Sequence, residues 1–261
     1  MAVISALYVY PIKACRGVRV GQCRVVERGL EVDRRWMIVD QSGMFVTQRE
    51  VPRLALVKTA FESGALSVTA PALNPLILPL EHELGTERNV QIWDDESVAV
   101  VHVEGSAWFS RFLGAPCELV YMPERARRVV NPKRARPGDM VSFADGYPFL
   151  LISEASLADL NRRLDTPVPM ERFRPNIVVS GTAPFAEDDY AEITLGEIAF
   201  RGVKRCDRCP VTTIDLETGE FGQEPLRTLA TFRLRDSRVW FGMNLIHDTR
   251  GTLHVGDRVQ I

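Results

Sequence analysis

Apolar and polar residues alternate along most of the first half of the chain, in short runs that end at turn residues. The first run, from Ala2 to Tyr10, is stopped by Pro11. Further runs predict strands over residues 18–26, 35–40, 44–47, 54–61, 65–69, 89–93 and 97–103. Many short strands at this spacing are typical of a β-barrel or a β-sandwich.

Three later segments carry the helical period instead. Ser106 can cap a helix that runs to Leu113, and Ser153 can cap a stronger helix with leucines at 157, 160 and 164 on one face. A third helix is predicted to begin near Pro225. Strands are predicted again over residues 193–195, 198–203, 211–215, 239–246 and 252–261. The pattern as a whole predicts a mostly β protein of the α+β class.

Composition and charge exclude several functional classes. The net charge of −2 gives no global electrostatic attraction to nucleic acid or to a membrane surface. The N-terminus lacks the pattern of a signal peptide, and no apolar run is long enough to span a membrane. The five cysteines are scattered and odd in number, which does not fit a disulfide framework. We therefore expect reduced thiols and a cytoplasmic location.

The segment around Cys206 and Cys209 is the strongest chemical signal in the chain. The two thiols are three residues apart and lie among Lys204, Arg205 and Arg208, cations that favour a thiolate. A zinc site needs two further ligands, and the chain offers no second CxxC and no closely spaced histidine pair. A thioredoxin-type site needs a helix after the thiols, where the sequence predicts a strand. The pair can also be structural or incidental.

Other cations follow or precede predicted strands, where loops commonly build sites. Arginine forks bind phosphate and carboxylate groups, so an anionic ligand is the interpretation that this set favours. The candidates are Lys13, Arg34, Arg35, Arg172, Arg174 and Arg208, with Asn176 beside them.

Residues 124–139 form the clearest shift in composition, with six basic residues and three turn-forming ones. Such a charge run is usually a solvated surface loop. The alternatives are a docking patch for an acidic partner or the rim of an anion site.

A set of ordered motifs lies at residues 7–13, 33–36, 47–49, 153–161, 173–178, 206–209 and 224–226, with Thr213, Gly219 and Gly256-Asp257. Together these motifs resemble the MOSC-domain family of molybdenum-cofactor proteins. The resemblance is to the branch that holds the mitochondrial amidoxime-reducing components and bacterial YcbX, and it runs over nearly the whole chain.

The resemblance implies a site for the molybdenum cofactor. Cys209 takes the position of the family's protein ligand to molybdenum, and is therefore the expected metal ligand and catalytic residue. The positions that contact the pterin and its phosphate fall on Lys13, Arg34, Arg174, Asn176 and Arg208. Four further cofactor-contacting positions carry residues that differ from the family pattern, namely Gly146, Tyr147, Asp207 and Asn244, and Ala14 replaces a serine beside the family lysine.

The resemblance also implies an architecture. It predicts a MOSC β-barrel over residues 124–261 and an N-terminal β-rich subdomain over residues 1–120, whose first strand joins the barrel. The sequence ends just after the last predicted strand, so we expect none of the C-terminal ferredoxin domains that some YcbX-type proteins carry.

The activity that the resemblance implies is a molybdenum-dependent reduction of N-hydroxylated compounds such as N-hydroxylated bases, amidoximes and hydroxylamines. No haem, flavin or iron–sulfur motif is present, so electrons are expected from a separate ferredoxin-, flavodoxin- or cytochrome b5-type protein. The alternative is a carrier that binds the cofactor, or transfers sulfur on Cys206 or Cys209, without reducing a substrate.

Overall fold

The computed structural model describes residues 1–261. Three helices are present: α1 (Val103–Leu113), α2 (Glu154–Asn161) and α3 (Leu226–Arg233). The strands are β1 (Val3–Val9), β2 (Val18–Val20), β3 (Gln22–Val26), β4 (Gly29–Leu30), β5 (Trp36–Val39), β6 (Lys58–Glu62), β7 (Ala65–Thr69), β8 (Leu76–Pro79), β9 (Glu87–Ile92), β10 (Asp95–His102), β11 (Glu118–Tyr121), β12 (Phe149–Ser153), β13 (Ile177–Ser180), β14 (Glu192–Leu195), β15 (Ile198–Asp207), β16 (Leu234–Arg235), β17 (Arg238–His247), β18 (Gly251–His254) and β19 (Val259–Gln260).

A nine-stranded sheet dominates the C-terminal half and takes in the first strand of the chain. Its order is β19-β14-β15-β17-β12-β13-β1-β2, with β16 paired to β17. Only β12 and β13 run parallel. Backbone hydrogen bonds from Ile4 N to Asp257 O (2.8 Å) and from Val259 N to Ala2 O (3.0 Å) join β1 to the last strand segment. The sheet therefore closes on itself as a barrel, which leaves few free edges.

Apolar side chains fill the barrel and also cover part of its outer wall. An interior cluster of 18 buried residues includes Leu7, Phe149 and Leu245. A second cluster lies under α2 and α3 and includes Leu160 and Leu229. Alternate residues of the same strands enter the two clusters, because successive side chains point to opposite faces. The barrel is consequently packed on both sides where the helices cover it.

Two smaller sheets form most of the N-terminal half. One has the order β5-β11-β10-β9 and the other the order β6-β7-β8. All four residues of β5 are buried: Trp36 and Ile38 enter one apolar cluster, and Met37 and Val39 enter another. This sheet is therefore packed on both faces at β5, whereas β9 keeps one exposed face.

The predicted fold class, a mostly β structure with a few helices and a β-barrel, is confirmed. Ser153 caps α2 as predicted, since its Oγ accepts a hydrogen bond from Ser156 N at 3.0 Å. The predicted start of the first helix is wrong. The cap of α1 is His102, whose Nδ1 accepts from Gly105 N at 3.0 Å, while the Ser106 hydroxyl donates back to His102 O at 2.7 Å.

Some strand predictions are also wrong. The predicted strand over 54–61 is divided between the 3-10 turn Pro52–Leu56 and the later β6, because Pro52 begins a helical turn. The predicted strand over 211–215 is replaced by the 3-10 turn Pro210–Thr213 for the same reason. The predicted strand over 252–261 is interrupted between β18 and β19.

The basic residues of the segment 124–139 are mostly paired. Arg125 binds Glu87, Arg127 binds Glu27 and Arg136 binds Asp248, while Arg128 is only 2% exposed and binds Asp95. The two basic residues of the segment with no carboxylate within 4 Å are Lys133 and Arg134, and both are exposed. The segment is a surface loop with one buried anchor. No helix of the structure has the length and hydropathy needed to cross a membrane.

Candidate functional site

A cavity of about 420 Å³ lies at the end of the barrel, against the loops of the N-terminal half. All ten residues predicted for the site line it, although they come from segments far apart in sequence. They are Lys13, Arg34, Gly146, Tyr147, Arg174, Asn176, Asp207, Arg208, Cys209 and Asn244. The closure of the barrel brings β1, β13 and β15 together, and the residues that follow or precede these strands meet at this cavity.

The two thiols have different surroundings. Cys206 packs against the apolar cluster under the helices and accepts a hydrogen bond from Arg208 Nη1 at 3.0 Å. Burial raises the pKa of the Cys206 thiol, against the opposing influence of Arg208. Cys209 begins the turn after β15, and its Sγ lies 3.4 Å from Arg49 Nη2. Arg172 fixes this turn by donating from Nε to Thr212 O at 2.8 Å.

Lys13 is a buried cation in the cavity wall. Its Nζ donates to Phe143 O at 2.8 Å and forms an ion pair with Asp145. Burial lowers the pKa of Lys13 to about 8, despite the attraction of Asp145. Raising the pH through this value removes one positive charge from the cavity.

Two arginines stack on the ring of Tyr10. The Cζ atoms of Arg34 and Arg174 lie 4.3 and 4.4 Å from the ring centroid. Both residues have positive φ, 47° and 58°, which is uncommon for side chains other than glycine, asparagine and aspartate. Burial lowers the pKa of Arg174 and raises the pKa of Tyr10. The strained backbone is held by packing on one aromatic ring, as is common where side chains must be aimed at a ligand.

Asn176 holds Arg34 in this arrangement through hydrogen bonds. Its Oδ1 accepts from Arg34 Nη1 at 3.0 Å and from Leu150 N at 3.3 Å. Its Nδ2 donates to Tyr8 O and to Asp33 Oδ1, each at 3.2 Å. All of its hydrogen-bonding groups are thus used within the protein, so Asn176 positions Arg34.

The remaining predicted residues form the outer part of the cavity. Asp207 binds Lys204 at 2.8 Å and Arg238 at 3.2 Å. Asn244 donates from Nδ2 to Lys204 O at 3.1 Å. A Cβ atom on Gly146 would meet nothing within 4 Å, so this glycine leaves open space. Tyr147 is half-buried, and burial raises the pKa of its hydroxyl.

Two of the candidate cations lie outside the cavity. Arg35 donates to Met122 O and pairs with Glu124 at 2.6 Å, on the far side of the strand that Arg34 precedes. Arg172, as described, holds the turn after the thiols. The interpretation of these two arginines as anion ligands is wrong. The guanidinium group of each already donates to backbone carbonyl oxygens and pairs with a carboxylate.

Family comparison agrees with this geometry. The model of the MOSC N-terminal beta barrel domain matches residues 1–116, and the model of the MOSC domain matches residues 121–260. The chain belongs to the MOSC family. Human mitochondrial amidoxime-reducing component 1 is 34% identical over 99% of this MOSC protein and 82% of its own length. The rat mitochondrial amidoxime reducing component 2 is 35% identical over 98% of this chain and 82% of its own length. The predicted family is therefore confirmed.

Among solved structures, the YUAD protein from Bacillus subtilis covers 99% of this MOSC protein and 94% of its own chain. The identity is 12% and the TM-score 0.46, which is too distant to inform the site.

Seven charged or aromatic residues of the cavity were not among the site residues predicted from the sequence of this MOSC protein: Phe45, Arg49, Trp93, Asp145, Phe149, Phe173 and Lys204. Arg49 belongs to a recognised motif at 47–49, which could have drawn it into the site. Lys204 lies two residues before Cys206 and was noted in the sequence only as a cation that favours the thiolate. Trp93 and Asp145 stand in loops whose local sequence shows no link to the thiols.

The cavity of this MOSC protein carries an excess of positive charge. Six cations and two carboxylates line it. Arg49, Arg174 and Arg208 have no carboxylate within 4 Å. In addition, Nε of Arg208 is buried and has no hydrogen-bond acceptor in the protein. A buried donor without an acceptor lowers the stability of the fold, so the arrangement favours an anionic ligand that supplies hydrogen-bond acceptors.

Proposed function

We propose that the chain is a molybdenum-cofactor-dependent oxidoreductase that reduces N-hydroxylated compounds. The observation that carries the proposal is the cavity itself, where a thiol and three arginines without carboxylate partners face one space. Relatives named as amidoxime-reducing components, about one third identical over nearly the whole chain, supply the substrate class.

The residues of the cavity fit the cofactor. Cys209 offers a soft sulfur donor, the type of ligand that a metal with other sulfur ligands prefers. Arg174 and Arg208 offer guanidinium donors for a phosphate, and the unsatisfied Nε of Arg208 needs an acceptor. When bound, the cofactor supplies two-electron redox chemistry at a metal.

The residues of the protein would bind and orient the cofactor and the substrate. Lys13, Arg34, Arg174 and Arg208 would neutralise and orient the anionic cofactor, and Asn176 would hold Arg34 in place. The overall reaction takes up two electrons and two protons, breaks the N–O bond and releases water. Arg49, with donors left over after its contact with Cys209, can hydrogen-bond to an oxygen of the substrate.

Purification from cells that make the cofactor tests the proposal. We expect molybdenum in the protein, and turnover of an N-hydroxylated base or an amidoxime when a chemical reductant is added. Bound molybdenum without turnover across several donors would favour the carrier. The observation that supports a carrier is that Cys206 lines the same cavity as Cys209. Protein without molybdenum or pterin from such cells would contradict both.

Electrons would come from a separate acidic protein of the ferredoxin, flavodoxin or cytochrome b5 type. Replacing Lys133 and Arg134 with serine is expected to slow reduction by that donor and to flatten its dependence on salt. Exposed charges steer encounter and are screened beyond about 10 Å at 0.1 M salt. Stopped-flow reduction at several salt concentrations measures this, with a small neutral reductant as reference.

Arg127→Ser is the matched control, since Arg127 lies in the same segment but is paired with Glu27 at 3.2 Å. Equal slowing with both kinds of donor would mean that Lys133 and Arg134 shape the site. No slowing with either donor would make the segment a solvated loop only.

A further inference from the structure

The cavity has an aromatic wall that comes from the N-terminal half of the chain. Trp93 lines the cavity and keeps 43% of its surface exposed. Its ring packs edge-on against Phe45, with centroids 4.9 Å apart, and the guanidinium of Arg49 lies 4.8 Å from its centroid. The same Arg49 reaches Cys209 Sγ at 3.4 Å. One guanidinium thus connects the indole to the thiol.

The backbone at Trp93 is unusual for such a residue. Trp93 and Asp94 form the two-residue turn between β9 and β10, and Trp93 has a φ of 56°. The first position of a hairpin turn with positive φ is normally taken by glycine, because a side chain there is strained. Gln91 holds the turn by donating from Nε2 to Trp93 O at 2.9 Å. A strained aromatic residue beside a cavity points to a role in that cavity.

The loop over residues 47–49, which carries Arg49, is fixed to the end of the barrel. Gln48 donates from Nε2 to Ala14 O at 2.6 Å, in the segment that carries Lys13. Arg49 N donates to Thr47 Oγ1 at 3.1 Å, which sets the direction of the Arg49 side chain. The backbone that carries Arg49, the side chain between the indole and the thiol, is therefore tied to the segment of Lys13.

We propose that Trp93 is a specificity-determining residue, a platform on which flat aromatic N-hydroxylated substrates stack. The inference rests on the proposed function and deepens it, since it names the preferred class: compounds whose N-hydroxy group is conjugated to an aromatic ring, over aliphatic ones. Stacking of an aromatic ligand on an aromatic side chain contributes about tenfold or more in affinity. An aliphatic substrate gains little from the ring.

Benzamidoxime and acetamidoxime are suitable probes, because they share the reacting group and differ in the ring. We expect Trp93→Gly to lower the ratio of kcat/KM for benzamidoxime to kcat/KM for acetamidoxime by about tenfold, mainly through KM. Trp93→Phe keeps a ring and should restore most of the ratio. The glycine variant relieves the positive φ, so folding is preserved, and a thermal melt checks this. An unchanged ratio in Trp93→Gly would overturn the inference.

A binding measurement makes the inference independent of turnover. Benzamidoxime added to the holoprotein without reductant should quench tryptophan emission, and Trp93→Phe should remove that quenching. Trp240→Phe is the matched control, since Trp240 is also partly exposed but lines a different cavity. Quenching that survives in Trp93→Phe, or its absence from the parent protein, would contradict the platform. A parent protein that binds benzamidoxime but reduces neither probe would contradict the proposed function alone.

Discussion

Replacing Cys209 with serine is expected to abolish reduction of N-hydroxylated substrates, whereas Cys206→Ser keeps a substantial part of the activity. Cys209 Sγ lies in the cavity beside Arg49, with no other hydrogen-bonding partner. A hydroxyl oxygen is a harder and much less acidic donor than a thiol, so it is a poor ligand for a metal that selects sulfur. Steady-state turnover at equal molybdenum content per protein measures the effect.

Cys206→Ser is the matched control for that experiment. Cys206 packs into the apolar cluster and accepts a hydrogen bond from Arg208, so its replacement disturbs the cavity wall without removing the Cys209 thiol. Activity of Cys209→Ser close to that of the parent, at equal cofactor loading, would remove Cys209 from the role of metal ligand. A complete loss in Cys206→Ser with normal loading would instead point to chemistry on the first thiol.

Replacing Arg174 with alanine is expected to lower cofactor affinity about tenfold or more, because a charge-assisted hydrogen bond to phosphate contributes about 1.5–3 kcal/mol. Arg174 has no carboxylate within 4 Å, and within the protein it contacts Cys15 O (2.7 Å) and the ring of Tyr10. The apo protein should therefore keep its melting temperature nearly unchanged. Molybdenum and pterin content after dialysis, together with a thermal melt, test both statements.

Arg34→Ala should differ from Arg174→Ala in stability. Arg34 pairs with Asp33 at 2.5 Å, and Asp33 is 2% exposed. Burial already raises the pKa of Asp33, and removing Arg34 leaves a buried carboxylate without its cationic partner, which costs about 3–5 kcal/mol. Arg53→Ala is the control for both variants, since Arg53 stacks on Phe112 outside the cavity. Normal cofactor content in Arg174→Ala would place Arg174 outside the cofactor site.

The elements that sequence reasoning found are those with clear boundary signals. β1 and β10 alternate or end at clear turn signals, and α2 has a serine cap. The missed strands include β8 and β11. Two others, β12 and β13, have nearly every residue buried, for example all five residues of Phe149–Ser153. A continuous apolar run shows no period of two, so it cannot be told from other buried segments.

The candidate site was likewise predicted only where the sequence carries a clear signal. Its predicted residues could be collected only because motifs of the family mark them, since Lys13 and Cys209 lie near opposite ends of the chain. Local chemistry alone gave Arg35 and Arg172 the same weight as Arg34 and Arg174. The difference between them is which way each side chain faces after the barrel closes, and no local pattern encodes that.

The closure of the barrel by β1 also has a consequence for biosynthesis. β1 leaves the ribosome before the other strands, yet it pairs with β13 and with the segment around Asp257, which are made much later. Such distant pairing waits for the whole intervening chain. Lys13 follows β1 directly, and it faces Cys209 across the cavity only once these pairs have formed. The nascent chain therefore contains no anion pocket until the segment around Asp257 has been made, so any cofactor must be loaded after that point.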